Sequence, residues 1–344
     1  MVSHAAIRTG LIGFGLAGRV FHEPFLATNP AFQLEVIATG NPDRQAEARG
    51  RGSYDIVDTP EQVFGRDLDL IVLASPPAAH FAQGIAALES GSAVVVDKPF
   101  AASVAQAEQL IETSGRVGKP LIVFQNRRWD GDFLTVKKLV ESGRLGEVFR
   151  FESTFERYAG PARERWQDAA TQAEGAGITF DLGSHLVDQA LHLFGPATLE
   201  RAELRVVRKG GASEDDAFLS LAHAGGVTSH ITVSRMAAQS GPRFRVLGSD
   251  SAYSVHGLDN QEAALKLGAR PTDAGFGVVP EAEWGYLGGE TDASLVRFPT
   301  ERGNYAGFYE GVAATLQDGA DTPVDVQDAL ATLRILELAH EMSA

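Results

Sequence analysis

Lys98, Asp181 and His185 are the residues whose types and settings suit the transfer of a proton at an alcohol. Asp181, His185, Asp188 and His192 are spaced i, i+4, i+7 and i+11, so a helix would stack them on one face. Such a stripe suits a metal site, a proton-transfer site or a plain polar face. A metal needs further convergent ligands and groups that orient them, and we expect none. The acid–base reading is simpler. Histidine titrates nearest neutrality, and oxidising an alcohol needs a base for the hydroxyl proton while hydride leaves the carbon. Asp181, one turn before His185, would orient the imidazole and stabilise its cation, whereas Asp188 and His192 read as structural. Lys98 would hydrogen-bond the same hydroxyl and stabilise developing alkoxide charge. It stands in Asp97-Lys98-Pro99, directly after the apolar run Ala93–Val96. That is the carboxyl end of a strand, where open α/β sheets bind ligands. The plainer alternative is that Lys98 is a surface charge.

These groups need elements to hold them. Thr9–Ile12 reads as a strand, followed by a Gly-rich turn and a helix from about Ala17 to Ala27. Leu34–Ala38, Leu68–Ala74, Ala93–Val96 and Leu121–Phe124 read as further strands. Helices separate them, one opening at Asn41-Pro42-Asp43, the others over Ala79–Ser90 and from Ser103 to about Arg116. Apolar strands alternating with helices imply a parallel, doubly wound sheet. The rhythm then changes. After helices at Phe133–Ser142 and Ile178–Phe194, strands follow one another at Leu204–Val207, Ala217–Ala222, Thr228–Ser234, Phe244–Leu247 and Ala252–Val255, as in a mostly antiparallel sheet. Residues 258–303 read as excursions or a binding loop, and two helices, Tyr305–Leu316 and Val326–Met342, close the chain. We therefore expect a nucleotide-binding domain over 1–125 and an α+β substrate and oligomerisation domain over 126–344. The last helices would pack back on the first domain.

Gly13-x-Gly15-x-x-Gly18 falls directly between the first strand and the first helix. There Gly13 permits the turn, Gly15 lets the backbone approach a pyrophosphate, and Gly18 allows close helix–strand packing. The helix N-terminus adds N–H groups for the anion. A dinucleotide is thus expected against Gly13, Phe14, Gly15, Leu16, Ala17 and Gly18. The acidic residue that would hold a ribose hydroxyl is missing from the end of the second strand. Thr39, Asn41 and Arg44 stand there instead and suit a 2′-phosphate, which favours NADP over NAD. The competing reading makes Arg44 a solvated helix residue.

Bulk properties restrict the classes open to the chain. It has 344 residues, no cysteine and a net charge of -15. Thiolate nucleophiles, disulfides and Cys-ligated metals are excluded, and the acidity argues against nucleic acid. No apolar run approaches the ~18 residues of a membrane span, and no secretory signal is visible. A cytoplasmic enzyme without membrane contact is expected.

The ordered series of the Gly-rich turn, Pro76-Pro77-x-x-His80, Asp97-Lys98-Pro99 and the start Asp181-x-Gly183-x-His185 resembles the Gfo/Idh/MocA oxidoreductases (glucose–fructose oxidoreductase, inositol dehydrogenase) along essentially the whole chain. Within that family the strings GFGLAGRVFHEPFL, VVDKPF, FQNRRWDGDFLTVKKL and FDLGSHLVDQALHLFGP are similar to the branch of NADP-dependent scyllo-inositol dehydrogenases. The resemblance implies a Rossmann domain followed by an open, mostly antiparallel sheet. It also implies that Lys98, Asp181 and His185 are catalytic, and that a homodimer or homotetramer forms through the second sheet. Asp97 replaces the usual glutamate and Ala176 interrupts the usual glycine run; neither removes a proton-transfer group. Ser75, Pro76, Pro77, His80, Lys98 and Arg127 join the expected cofactor contacts, with His22 and His80 shaping the loops around it. For a polyol or sugar substrate, Lys98, Asn126, Arg128, Trp129, Arg157, Tyr158, Trp166, Asp181 and His185 are expected contacts. Arg and Asn offer donors to hydroxyl pairs, and Trp an apolar face to ring C–H groups. Trp129 as core, and Arg127 or Arg128 as partners of local carboxylates, stay open. So do an NAD(P)-sensing regulator, an aldose–aldose oxidoreductase and an NAD-assisted glycosidase on the same fold.

Overall fold

A computed structural model describes residues 4–160, 175–289 and 294–343. The chain divides into two compact units. The first comprises residues 1–126, 261–276 and 305–330, and the second 127–260, 277–304 and 331–344.

In the first unit, β1 (Ile7–Ile12), β2 (Phe32–Ala38), β3 (Asp55–Val57), β4 (Leu70–Leu73), β5 (Ala93–Val96) and β6 (Leu121–Val123) form a sheet in the order β3-β2-β1-β4-β5-β6. Every pairing in it is parallel. Residues of β4 and β5 are buried throughout, which is why those strands read as unbroken apolar runs. The expected helix starts are present. Asn41 caps Pro42–Arg51 by accepting from the Arg44 N–H at 3.0 Å, and Ser103 caps Val104–Val117 through the Gln106 N–H. The expected single helix after the glycine turn differs in detail. Gly18–His22 is a π-helical turn, closed by the Glu23 N–H on the Gly18 carbonyl, and Glu23–Thr28 continues as α-helix. Pro24 explains the break, because it has no N–H to extend the ordinary i→i−4 ladder backwards. The Ala306–Asp318 helix belongs to this unit, with the Tyr309 ring edge-on to Phe32 and the Phe308 ring edge-on to Phe124.

In the second unit, β7 (Val148–Glu156), β8 (Ala197–Arg205), β9 (Asp216–His223), β10 (Thr228–Ser234), β11 (Phe244–Gly248), β12 (Ala252–Val255), β13 (Gly285–Gly288) and β14 (Val296–Phe298) form a sheet in the order β14-β13-β12-β11-β7-β10-β9-β8. All neighbours are antiparallel except β7 and β10. Alternation along the strands sends Phe151, Phe155, Leu219, Leu221, Ile231, Val233, Phe244 and Val246 to a buried face. The helices Gly131–Glu141 and Ser184–Phe194 pack there. The stretch 258–303, expected to be excursions, instead supplies β13, β14 and the helix Gln261–Lys266. No helix among the described residues is long and apolar enough to cross a membrane.

Candidate active site

The three glycines of the turn after β1 have different reasons to be glycine. Gly13 has φ +97°, and a Cβ there would lie 2.5 Å from the Ala74 carbonyl oxygen. A Cβ on Gly18 would lie 2.1 Å from the Gly13 oxygen. Both are required by the fold itself. A Cβ on Gly15 would meet only the Arg44 guanidinium, 3.7 Å away. Nothing in the protein forbids a side chain at that position, so a ligand passing close to the backbone accounts best for the glycine. The cradle therefore fits a dinucleotide. Phe14 is buried beneath the turn and Leu16 is exposed on it. Arg44 is also exposed and has no carboxylate partner among the described residues. Arg8, Arg19, Arg51, Arg66 and Arg116 of the same unit each pair with one. Asn41 spends its carbonyl on the helix cap, and Thr39 is buried with its backbone oxygen on Gln45.

At the ends of β4 and β5 the chain is tied by side chains. Ser75 donates to Gln83, Pro76 precedes the helix that Pro77 begins, and His80 lies one turn inside it, fully buried. The two ring nitrogens of His80 stand 2.9 Å from the carbonyl oxygens of Ser75 and Pro99. Between those anchors comes Lys98, whose backbone N–H donates to Asp97 Oδ1 at 2.8 Å; the Lys98–Pro99 peptide is cis. Asp97 Oδ2 is 3.7 Å from His22 Nε2, and His22 Nδ1 is 2.6 Å from the Tyr309 hydroxyl. Burial opposes a charge on Asp97, but the approach of His22 and the positive charge of Lys98 outweigh it and hold the carboxyl below its ordinary value.

In the second unit, the segment carrying Asp181 and His185 starts with a π-helical turn, Thr179–Gly183, and continues as Ser184–Phe194. Glu214 holds its start, accepting from the Thr179 N–H at 3.2 Å and the Thr179 hydroxyl at 2.5 Å. Gly177, with φ +111°, passes so close to Glu214 that a Cβ would fall 2.1 Å from its carboxylate. The expected polar stripe spans two settings, Asp181 on the π-helical turn and the other three residues on the α-helix that follows. Asp181 is partly exposed and accepts from Arg235 at 2.6 Å, with Arg157 at 3.8 Å. His185 and Asp188 are buried. Asp188 takes two hydrogen bonds, 2.8 and 2.7 Å, from the fork of Arg128. Gln189 donates to the Arg127 carbonyl and accepts from Arg243, locking the helix to the Asn126–Trp129 turn. His192 lies 3.1 Å from Lys137; burial, then the charges of Arg128 and Lys137, pushes its pKa down to about 4.

The expected substrate contacts thus fall in varied settings. Asn126 and Arg128 are buried, the latter committed to Asp188, and Trp129 is half-buried with its carbonyl accepting from Asn304. Arg127 is buried, donates to Asp130 at 3.2 Å and lies over the Phe155 ring. Arg157 (52% exposed side chain) and Tyr158 (63%) stand open to solvent. Trp166 lies outside the described residues. Sequence reasoning did not foresee Arg235, Glu214 or Tyr309. Their partners lie 54, 35 and 287 positions away, and no local pattern announces such pairs.

A Gly-rich turn opening a parallel six-stranded sheet, with a lysine at the end of its fifth strand, defines a dinucleotide-dependent oxidoreductase. Residues 7–125 match the model of the oxidoreductase family with an NAD-binding Rossmann fold, and residues 133–254 match the GFO/IDH/MocA C-terminal domain. The chain belongs to the GFO/IDH/MocA family of oxidoreductases. It is 37% identical to the uncharacterized oxidoreductase YdgJ of Escherichia coli K12, covering 97% of this chain and 96% of the relative. It is 31% identical to the scyllo-inositol 2-dehydrogenase (NADP(+)) IolW of Bacillus subtilis 168, covering 98% and 94%. The solved structure of yvaA from Bacillus subtilis superposes with a TM-score of 0.91 at 30% identity, covering 98% of this chain and 96% of that one.

Proposed function

We propose that this oxidoreductase transfers hydride between a nicotinamide nucleotide, NADP in preference to NAD, and a secondary hydroxyl or ketone of an inositol or sugar. The observation that carries the reading is His185, buried on a helix anchored by Glu214 and Arg128 in the second unit, in a chain whose first unit carries a lysine held by its backbone after β5. Gly13–Gly18, Thr39, Asn41, Arg44, Ser75–Pro77, His80, Lys98 and Arg127 would hold the nucleotide, which supplies a hydride acceptor or donor when bound. Lys98 then hydrogen-bonds the substrate hydroxyl, and His185 takes its proton as the C–H bond breaks. In the reverse direction His185 returns the proton to the alkoxide. Asp181, itself oriented by Arg235, supports the imidazolium. The unpaired Arg44 beside Gly15 supports the choice of NADP, since a 2′-phosphate would give it a charge-assisted partner. The chemistry of IolW, an NADP-dependent scyllo-inositol 2-dehydrogenase, agrees with that substrate class.

In this reading residues 1–125, joined by Arg127, handle the nucleotide, and 126–344, joined by Lys98, the substrate and subunit contacts. The exposed face of the second sheet, which carries Tyr286 (37% exposed) on β13, suits the burial of a second copy in a homodimer or homotetramer. Nicotinamide absorbance with NADP or NAD and a panel of inositols and aldoses tests the reaction. Turnover should be faster with NADP, and Arg44→Ala should raise the NADP KM about tenfold while leaving NAD unchanged. Measurable nucleotide binding with no turnover across the panel would overturn the substrate class. A monomer by light scattering at micromolar concentration would overturn the assembly.

A further inference from the structure

Lys98 is bracketed by a buried polar network far larger than a strand end needs. Asp97 grips its backbone N–H, and His80, whose pKa burial lowers, donates its one N–H to the carbonyl of Pro99 or Ser75 and lies 2.9 Å from both. Behind Asp97 stands His22, and behind His22 the Tyr309 hydroxyl. His22, His80 and Tyr309 are essentially inaccessible, and the Phe124 ring covers His22 with centroids 4.4 Å apart. Burying so many polar groups among aromatic rings costs stability unless each is satisfied. Tyr309 and His22 Nδ1 satisfy each other, while among the described residues His22 Nε2 has no partner within hydrogen-bond distance and faces Asp97 Oδ2 at 3.7 Å. An ionised Asp97 repels a lone pair, so His22 must present Nε2–H to it and leave Nδ1 to Tyr309. Burial and the Asp97 charge keep the Tyr309 phenol protonated, so it remains a donor to Nδ1. A hydrogen bond thus runs from Tyr309 to His22, an electrostatic contact at 3.7 Å joins His22 to Asp97, and Asp97 in turn accepts from the Lys98 backbone N–H.

We propose that Tyr309 and His22 are positioning residues for Lys98. They fix the Asp97 carboxylate, which fixes the main chain from which the lysine side chain extends, and His80 clamps the segment on its other side. None of the three is asked to touch the substrate. The proposal rests on the reading of Lys98 as the group that meets the reacting hydroxyl. It differs in what it predicts for the neighbours, because a misplacement of about 1 Å at a reacting group can cost on the order of a hundredfold in rate.

The test combines steady-state kinetics with a signal from Lys98 itself, the 13C resonance of the reductively methylated lysine, assigned by its loss in Lys98→Ala. Tyr309→Phe should lower kcat about tenfold and move the Lys98 resonance, with KM for the nucleotide within about twofold of wild type. His22→Gln, whose amide can still donate towards Asp97, should retain more kcat than His22→Leu. If Tyr309→Phe and His22→Leu lower only the melting temperature and leave kcat and the resonance in place, the network is packing and the proposal falls. If Lys98→Ala turns over at the wild-type rate, the catalytic reading of Lys98 falls instead. The resonance then still decides whether His22 and Tyr309 position it.

Discussion

Two helix starts in this molecule begin with a π-helical turn, Gly18–His22 in the first unit and Thr179–Gly183 in the second, and they are held by different means. The first opens on close backbone contacts, with Arg51 on the Arg19 carbonyl and Tyr309 on His22 further along. Gly18 packs against the Gly13 carbonyl, Gly13 against Ala74, and no side chain caps the helix. The second is built from side chains. Glu214 grips Thr179, Arg235 grips Asp181, and Arg128 grips Asp188 further along. A nucleotide pyrophosphate asks for close, uniform N–H groups, which backbone supplies. A proton-transfer pair asks for particular atoms at fixed angles, which only other side chains can hold.

The sharpest break of the comparison is His185→Ala. Removing a proton-transfer group should cost roughly 10²–10⁴ in kcat, while nucleotide affinity by fluorescence titration stays near wild type; equal losses in both would dissolve the distinction. Next come the glycines. Gly18→Ala should lose nucleotide binding and stability together, because its Cβ would collide with backbone. Gly15→Ala should keep its melting temperature within about 1 °C and still bind nucleotide at least roughly tenfold more weakly. A Gly15→Ala protein with unchanged affinity would mean that nothing approaches that backbone.

Thr179→Val probes the side-chain anchor. It leaves Glu214 buried with one hydroxyl donor fewer, which should cost roughly 1–3 kcal/mol and lower the melting temperature by about 2–6 °C. The smallest effect is electrostatic. Burial lifts the pKa of Asp132 to about 6 against the pull of Arg243, with Asp130 adding to the rise. In the unfolded chain the group titrates near 4, so the folded state binds the extra proton between these values. Its contribution to stability is full below about pH 4 and is lost as pH rises through about 6. The melting temperature of Asp132→Asn relative to wild type should therefore climb between pH 4 and pH 7, and a flat difference would show that Asp132 is not lifted.

The same contrast decides what the sequence reveals. Backbone devices leave local traces: the Gly13, Gly15 and Gly18 spacing, the Asn41-Pro42 helix start and the apolar runs of β4 and β5 could all be read directly. The strings that hold Lys98, Asp181 and His185 were legible as family motifs, and the match to both family models bears out the family they pointed to. What anchors those residues was not legible. Asp181 meets Arg235 and Thr179 meets Glu214 only after the second sheet has assembled, so no spacing rule connects them. β3, only three residues long, and the β13–β14 pair gave too few alternations to register as strands.

The lone parallel junction of the second sheet, β7 against β10, sets an order of assembly. Between the end of β7 at Glu156 and the start of β10 at Thr228 lie the helix of His185 and the strands β8 and β9. A parallel neighbour requires the intervening chain to cross over, so that helix travels inside the crossover. Its seat on β7 and β10 exists only once the β8-β9-β10 meander has returned and docked, a contact that is distant in sequence and slow to close. The helix that carries His185 is therefore expected among the last parts of its unit to settle, and refolding followed by hydrogen exchange should show its amides protected after those of β8 and β9.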